Sequence, residues 1–98
     1  MARILIAGCG YVGTALALRL LDGGHEVHGL RRRASILPAG VVPIAADLAD
    51  PASLGALPRK LDYVVYTAAP DGPGDNAYRA VYIDGLRNLL QALQVGLL

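Results

Sequence analysis

Apolar positions follow two rhythms along this chain. Residues 3–7, Arg-Ile-Leu-Ile-Ala, form a short apolar run that ends on glycine, as a strand buried on both faces does. Residues 14–21 are rich in Ala and Leu and predict a helix, stopped by Asp22-Gly23-Gly24. Residues 26–30 predict a second strand, residues 31–40 a loop, and residues 41–46 a third strand in which Pro43 points to a sheet edge or a late start. Asp50 as cap and Pro51 at the first helical position open a short helix that ends near Pro58. Residues 63–67 are β-branched and aromatic and predict a fourth strand. Residues 70–76 carry the Gly, Pro, Asp and Asn of a loop, with Asp71, Asp75 and Asn76 as turn and cap residues. A long helix over residues 77–94 follows, with Tyr82, Leu86, Leu89, Leu90 and Leu93 as one buried stripe.

Strands alternating with helices predict an α/β fold with a parallel sheet. Right-handed crossovers give the strand order 3-2-1-4, one half of a doubly wound, three-layer αβα fold of Rossmann type. The fourth strand is then an open edge, which invites self-association. That edge and the apolar end, Gln94-Val95-Gly96-Leu97-Leu98, predict the N-terminal part of a longer protein: a single domain over residues 1–98, with a C-terminal substrate part absent. The hydrophobic share of 54% fits a sheet covered on both sides. Nine Lys and Arg against eight Asp and Glu leave little net charge, which argues against nucleic acid or an anionic membrane as partner. One cysteine, Cys9, excludes an internal disulfide and suits a reducing, cytoplasmic setting. The N-terminal apolar run is too short for a secretory signal, and no apolar stretch reaches a membrane span.

Between the first strand and the first helix lies Gly8-Cys9-Gly10-Tyr11-Val12-Gly13, a G-x-G-x-x-G. In a strand–turn–helix context this motif binds the pyrophosphate of a dinucleotide. Gly8 permits the tight turn, Gly10 lets the pyrophosphate approach the backbone, and Gly13 lets helix and strand pack closely. The amides of the first helical turn then face the phosphates, aided by the helix dipole. A glycine-rich turn without ligand is the alternative.

An NAD site also needs a carboxylate about 20 residues on, at the end of the second strand, for the ribose hydroxyls. Glu26 stands too early, and the strand's end is Gly29-Leu30-Arg31, followed by Arg32 and Arg33. A guanidinium there suits a 2′-phosphate, which predicts NADP rather than NAD, bound by Arg31 and Arg32. A solvated basic turn is the other reading.

The segments 3–13 and Gly24-His25-Glu26-Val27, the pair Asp47-Leu48, and Tyr66-Thr67-Ala68-Ala69-Pro70 together resemble the N-terminal half of NAD-dependent epimerase/dehydratase-like proteins. These are extended or atypical members of the short-chain dehydrogenase/reductase superfamily, and the likeness runs to about residue 94. The resemblance implies that Asp47 contacts the adenine amino group and Leu48 lies beside the ring. It also implies that Ala68, Ala69 and Pro70 line the ribose side. As a residue type, Asp47 equally suits a loop cap. Extended members usually show G-x-x-G-x-x-G, which needs glycine at Ala7, so the spacing fits the atypical group better. Gly85, Asn88, Leu89 and Leu90 fit that family's fourth helix. Tyr82 and Leu86 stand where extended members tend to carry Asn and Thr.

The superfamily's Tyr-x-x-x-Lys acid–base pair is missing. Tyr63, Tyr66, Tyr78 and Tyr82 have no lysine four residues on, and Lys60, the one lysine, precedes them. The resemblance therefore implies a cofactor-binding part, inactive alone, of an NADP-dependent oxidoreductase or sugar-nucleotide epimerase/dehydratase whose small-molecule substrate is unspecified. Two other readings stay open: the N-terminal domain of a 3-hydroxyacid-type dehydrogenase, and a non-catalytic NADP-sensing regulator. Cys9 reads as a packed small residue, His25 and His28 as structural, and Tyr78 as a packing residue with the option of approaching a substrate. No metal site is predicted.

Overall fold

The computed structural model describes residues 1–70 and 72–97, in two compact units. The first comprises residues 1–45 and 60–68. Within it, β1 (Arg3–Ala7), β2 (Glu26–Arg31), β3 (Val42–Ala45) and β4 (Tyr63–Tyr66) form one parallel sheet in the order β3-β2-β1-β4. This is the predicted order, and it puts Pro43 on an edge strand, where its missing N–H is tolerated. The register sets Ile4 beside Val27 and Tyr63, and Ile6 beside Gly29 and Val65. Helix α1 (Tyr11–Asp22) covers the face that carries Ile4, Ile6 and Val27, closing a core with Cys9, Ala17 and Val41. Leu16, Leu20 and Leu21 of α1 pack against that core. Leu5 and Leu30 point to the opposite face and are buried too, which explains why β1 reads as an unbroken apolar run from Ile4 to Ala7.

The second unit comprises residues 46–59 and 69–98. It holds a 3₁₀ turn (Pro51–Leu54), then α2 (Asp75–Arg79), a π-helical segment (Ala80–Gly85) and α3 (Leu86–Leu97). Leu54 and Leu89 are its buried apolar contacts, and the Asn88 side-chain amide donates to the Leu48 carbonyl at 2.8 Å.

Several expectations need correction. Helix α1 starts at Tyr11 rather than Thr14, because Gly10 already serves as its N-cap. Strand β2 includes Arg31, and the loop after it holds a 3₁₀ turn at Ala34–Ile36. The helix expected up to Pro58 is a single 3₁₀ turn. Asp50 caps it, its Oδ1 accepting from the Ala52 amide at 3.2 Å, but Gly55 ends it after four residues. Asp75 and Asn76 belong to the first turn of α2, capped by Gly74 in the left-handed region at φ 105°. Asp71 lies outside the described residues. The stripe predicted on the long helix is also broken. Leu89 is buried at 1% exposure, whereas Tyr82 and Leu90 are 41% and 51% exposed. The π segment adds about one residue to a turn, a phase shift of roughly 100° that separates Tyr82 from the Gly85–Leu89 line. Tyr82 instead meets Tyr78, ring centroids 4.7 Å apart, and both remain exposed.

At the amino ends of the strands, Glu26 Oε2 accepts from Arg3 Nε at 2.6 Å and lies 2.7 Å from His28 Nε2. His25 Nδ1 separately accepts from the Ala2 amide at 3.0 Å, so the two histidines serve different structural contacts. The hydrogen bond with His28, then that with Arg3, holds the Glu26 carboxyl below its ordinary pKa. A carboxyl that ionises more readily in the folded chain than in the unfolded one stabilises the fold wherever it is charged. That contribution is complete above the ordinary glutamate value of about 4.3 and vanishes as pH falls through the lowered folded value. Urea midpoints measured between pH 7 and pH 2.5 should therefore fall more steeply on the acid side for the natural chain than for Glu26→Gln. Parallel curves would refute the linkage.

Candidate functional site

Strand β1 must pass from extended backbone into α1 within three residues. Gly8 makes this possible at φ 81°, a region that a Cβ disfavours by about 1–2 kcal/mol. The backbone of Ala68 also lies against it: a Cβ on Gly8 would come within 2.4 Å of the Ala68 Cα. The turn is fastened from β2, where the Leu30 carbonyl accepts from the amides of both Gly8 (3.0 Å) and Cys9 (2.8 Å). It is fastened from the end of β4 as well, where Thr67 Oγ1 donates to the Gly8 carbonyl at 2.9 Å.

Helix α1 opens on this turn without a side-chain cap. Its first backbone bond runs from the Thr14 amide to the Gly10 carbonyl at 2.8 Å, so the amides of Tyr11, Val12 and Gly13 lie ahead of the helical ladder. Together with the helix dipole they form a positive end suited to an anion. Tyr11, at 95% exposure, and Val12 leave that end uncovered by their side chains. The three glycines differ in what holds them. Gly13 is packed: a Cβ there would stand 2.7 Å from Thr67 Oγ1 and 2.9 Å from Ile6 Cγ2. Gly10 is open: nothing lies nearer to its Cβ position than the Gly8 carbonyl at 4.0 Å. Among the described residues no packing contact accounts for glycine at position 10.

Arg31, the last residue of β2, reaches the glycine turn, where its Nη1 donates to the Cys9 carbonyl at 3.2 Å. This uses one of its five N–H donors. Arg32 follows and is exposed. The Cys9 side chain is fully buried in the core under α1. Burial pushes its thiol pKa up, only partly offset by a hydrogen bond with the Thr14 side chain and by the Arg31 charge. A raised thiol pKa and full burial agree with a packed residue rather than a reactive one.

The first unit thus gathers Gly8, Gly10, Tyr11, Val12, Gly13, Arg31 and Ala68 around one turn, with Arg32 next in sequence. Asp47, Leu48, Ala69 and Pro70 belong to the second unit. There Asp47 Oδ1 accepts from the Ala49 amide at 2.9 Å, an Asx turn that matches the loop-cap reading of this residue. Ser53 closes the same loop, its Oγ accepting from the Asp47 amide at 3.0 Å and donating to the Asp47 carbonyl at 2.8 Å. Neither Thr67 nor Ser53 carries a sequence signal for these contacts, since a lone hydroxyl has no pattern. Among the described residues no three His, Cys, Asp or Glu side chains gather as a metal site, and no helix is long and apolar enough to cross a membrane.

Because both its backbone angle and Ala68 exclude a side chain, Gly8→Ala should cost about 3 kcal/mol or more of folding stability. Chemical denaturation followed by circular dichroism would measure this, and a loss below about 1 kcal/mol would contradict the packing described.

The chain is similar over most of its length to known proteins. The uncharacterized protein Rv2047c of Mycobacterium tuberculosis is 36% identical over 93 residues, covering 93% of this chain and 10% of that protein. A solved structure designated an NAD-dependent epimerase/dehydratase, from Methylobacillus flagellatus, is 43% identical with a TM-score of 0.76, covering 97% of this chain and 33% of its own. A short-chain dehydrogenase/reductase superfamily protein from Agrobacterium tumefaciens, solved with bound NAD, is 26% identical with a TM-score of 0.78, covering 96% and 29%. The chain therefore spans a tenth to a third of the length of these relatives. The model of the NAD dependent epimerase/dehydratase family matches residues 4–95, and the chain belongs to that family.

Proposed function

We propose that this chain is the NADP-binding part of an atypical short-chain dehydrogenase/reductase-like oxidoreductase or sugar-nucleotide epimerase/dehydratase. The carrying observation is the pairing of an uncapped helix start with a guanidinium at the end of β2. Gly10 leaves room for a ligand's phosphates, and the amides of Tyr11, Val12 and Gly13 supply donors. Arg31 already rests on the turn through the Cys9 carbonyl, which leaves most of its donors for a 2′-phosphate, with Arg32 beside it. The nearest carboxylate on β2, Glu26, is at the strand's other end and engaged with Arg3 and His28, so it does not compete for the ribose.

When bound, the cofactor would supply hydride transfer at its nicotinamide. The residues of this chain bind and orient it, and the acid–base work falls to residues outside these 98, since the chain contains no Tyr-x-x-x-Lys pair. The substrate is then chosen by the remainder of a longer parent.

Calorimetric titration with NADP+ and NAD+ tests the reading. NADP+ should bind at least about tenfold tighter, a difference of about 1.4 kcal/mol, and replacing Arg31 and Arg32 with Ala should abolish it. A folded chain that prefers NAD+ would sink the arginine assignment. Gly10→Ala separates the ligand from the fold: it should disturb stability far less than Gly8→Ala yet abolish binding of either dinucleotide. Unimpaired binding by Gly10→Ala would show that no phosphate approaches this backbone.

A further inference from the structure

The contacts of one hydroxyl group reach beyond cofactor choice. Thr67 follows directly after β4, and its amide donates to the Ala7 carbonyl at 2.9 Å, continuing the pairing with β1. Its Oγ1 donates to the Gly8 carbonyl at 2.9 Å. The same oxygen lies under Gly13, only 2.7 Å from where a Cβ would stand. One hydroxyl thus touches both the first and the third glycine of the loop. The Gly8 carbonyl it engages also accepts from the Gly10 amide at 2.7 Å, and the amide on the other side of that peptide, Cys9 N–H, is held by Leu30 at 2.8 Å. Both edges of the Gly8–Cys9 peptide plane are therefore fixed, one by β2 and one by the residue that follows β4.

We propose that Thr67 is a positioning residue of the dinucleotide site, whose hydroxyl fixes the glycine turn so that the amides of Tyr11, Val12 and Gly13 keep their direction toward the pyrophosphate. The proposal rests on the dinucleotide-binding reading above. Thr67 reaches the ligand only through the turn. Without the hydroxyl, the Gly8 carbonyl keeps its bond from Gly10, so the fold persists, but the peptide plane loses its restraint from the β4 side. The loss then falls on affinity, because a loop that must be ordered on binding spends part of the binding free energy on that ordering.

The test compares dissociation constants of the 98-residue chain for NADP+ and NAD+ by calorimetry, with circular dichroism confirming the fold of every variant. Thr67→Ala should weaken NADP+ and NAD+ alike by about tenfold, the range of one hydrogen bond, and Thr67→Ser should restore binding to within about twofold. Thr67→Val carries the same expectation if Thr67→Ala fails to fold. Val65→Ala serves as the stability control. Val65 packs against the core two residues earlier, so its loss should lower the melting temperature and leave both constants unchanged. Unchanged affinity in Thr67→Ala, failure of Thr67→Ser to restore it, or an equal loss in Val65→Ala would each overturn the positioning role while leaving the dinucleotide reading intact. If the unaltered chain binds neither dinucleotide, that reading falls and the role of Thr67 falls with it.

Discussion

The reversal at Gly8 sets the terms for the first unit. A buried parallel strand that runs straight into a helix has no room for a conventional loop, so the chain turns on a residue in the left-handed region. Such a turn is held only if its peptide groups find partners, because an unpaired polar backbone group inside a core costs at least as much as a single bond contributes. Here the partners are the carbonyl of Leu30 and the hydroxyl of Thr67, one from each neighbour of β1. The turn thus requires both β2 and β4 to be in register. Sheet topology and the geometry of the helix start are a single constraint viewed from two ends.

Charge follows the same polarity. At the amino ends of the strands, Arg3, Glu26 and His28 satisfy one another. At the carboxyl ends, the charge beside the turn is Arg31, and its one described partner is a neutral carbonyl. The first arrangement pairs charge with charge; the second sets a half-buried cation beside the start of α1, with one described hydrogen bond to the turn. An open parallel sheet takes its ligands at the carboxyl ends of its strands, the end at which the glycine turn and Arg31 lie.

Much of this could be read in advance, and the reasons are specific. The run Arg3–Ala7 is apolar because its residues from Ile4 on are buried, Tyr63–Tyr66 is legible from its β-branched and aromatic residues although Tyr63 and Val64 are exposed, and no helical period competes with either signal. The glycine motif carries its context with it, so the turn, the helix and the strand order follow together. Departures arise where local chemistry is ambiguous. Asp50-Pro51 starts an α-helix and a 3₁₀ turn equally well, and the choice is made by Gly55 four residues later. The π segment is invisible to a periodicity argument, since it changes the period itself; Leu89 keeps its predicted burial while Tyr82 loses it. Around the turn, Gly8 is legible as the turn glycine and Gly13 as the packing glycine, but the residues that lie against them, Ala68 and Thr67, are distant in sequence. Only folding brings residues 8 and 68 together.

Gly29 shows what that folding does to residues that no motif names. It lies in the middle of β2, and a Cβ there would come within 2.9 Å of Val41 Cγ1, 3.2 Å of Leu37 Cδ1 and 3.3 Å of Cys9 Sγ. Position 9, formally an unrestricted place in G-x-G-x-x-G, therefore shares a fixed volume with position 29. A bulkier residue at 9 is compatible with this packing only while 29 stays glycine, and an alanine at 29 demands that 9, 37 or 41 shrink. Across related chains these four positions should change together, so that a substitution harmless in one sequence background is disruptive in another.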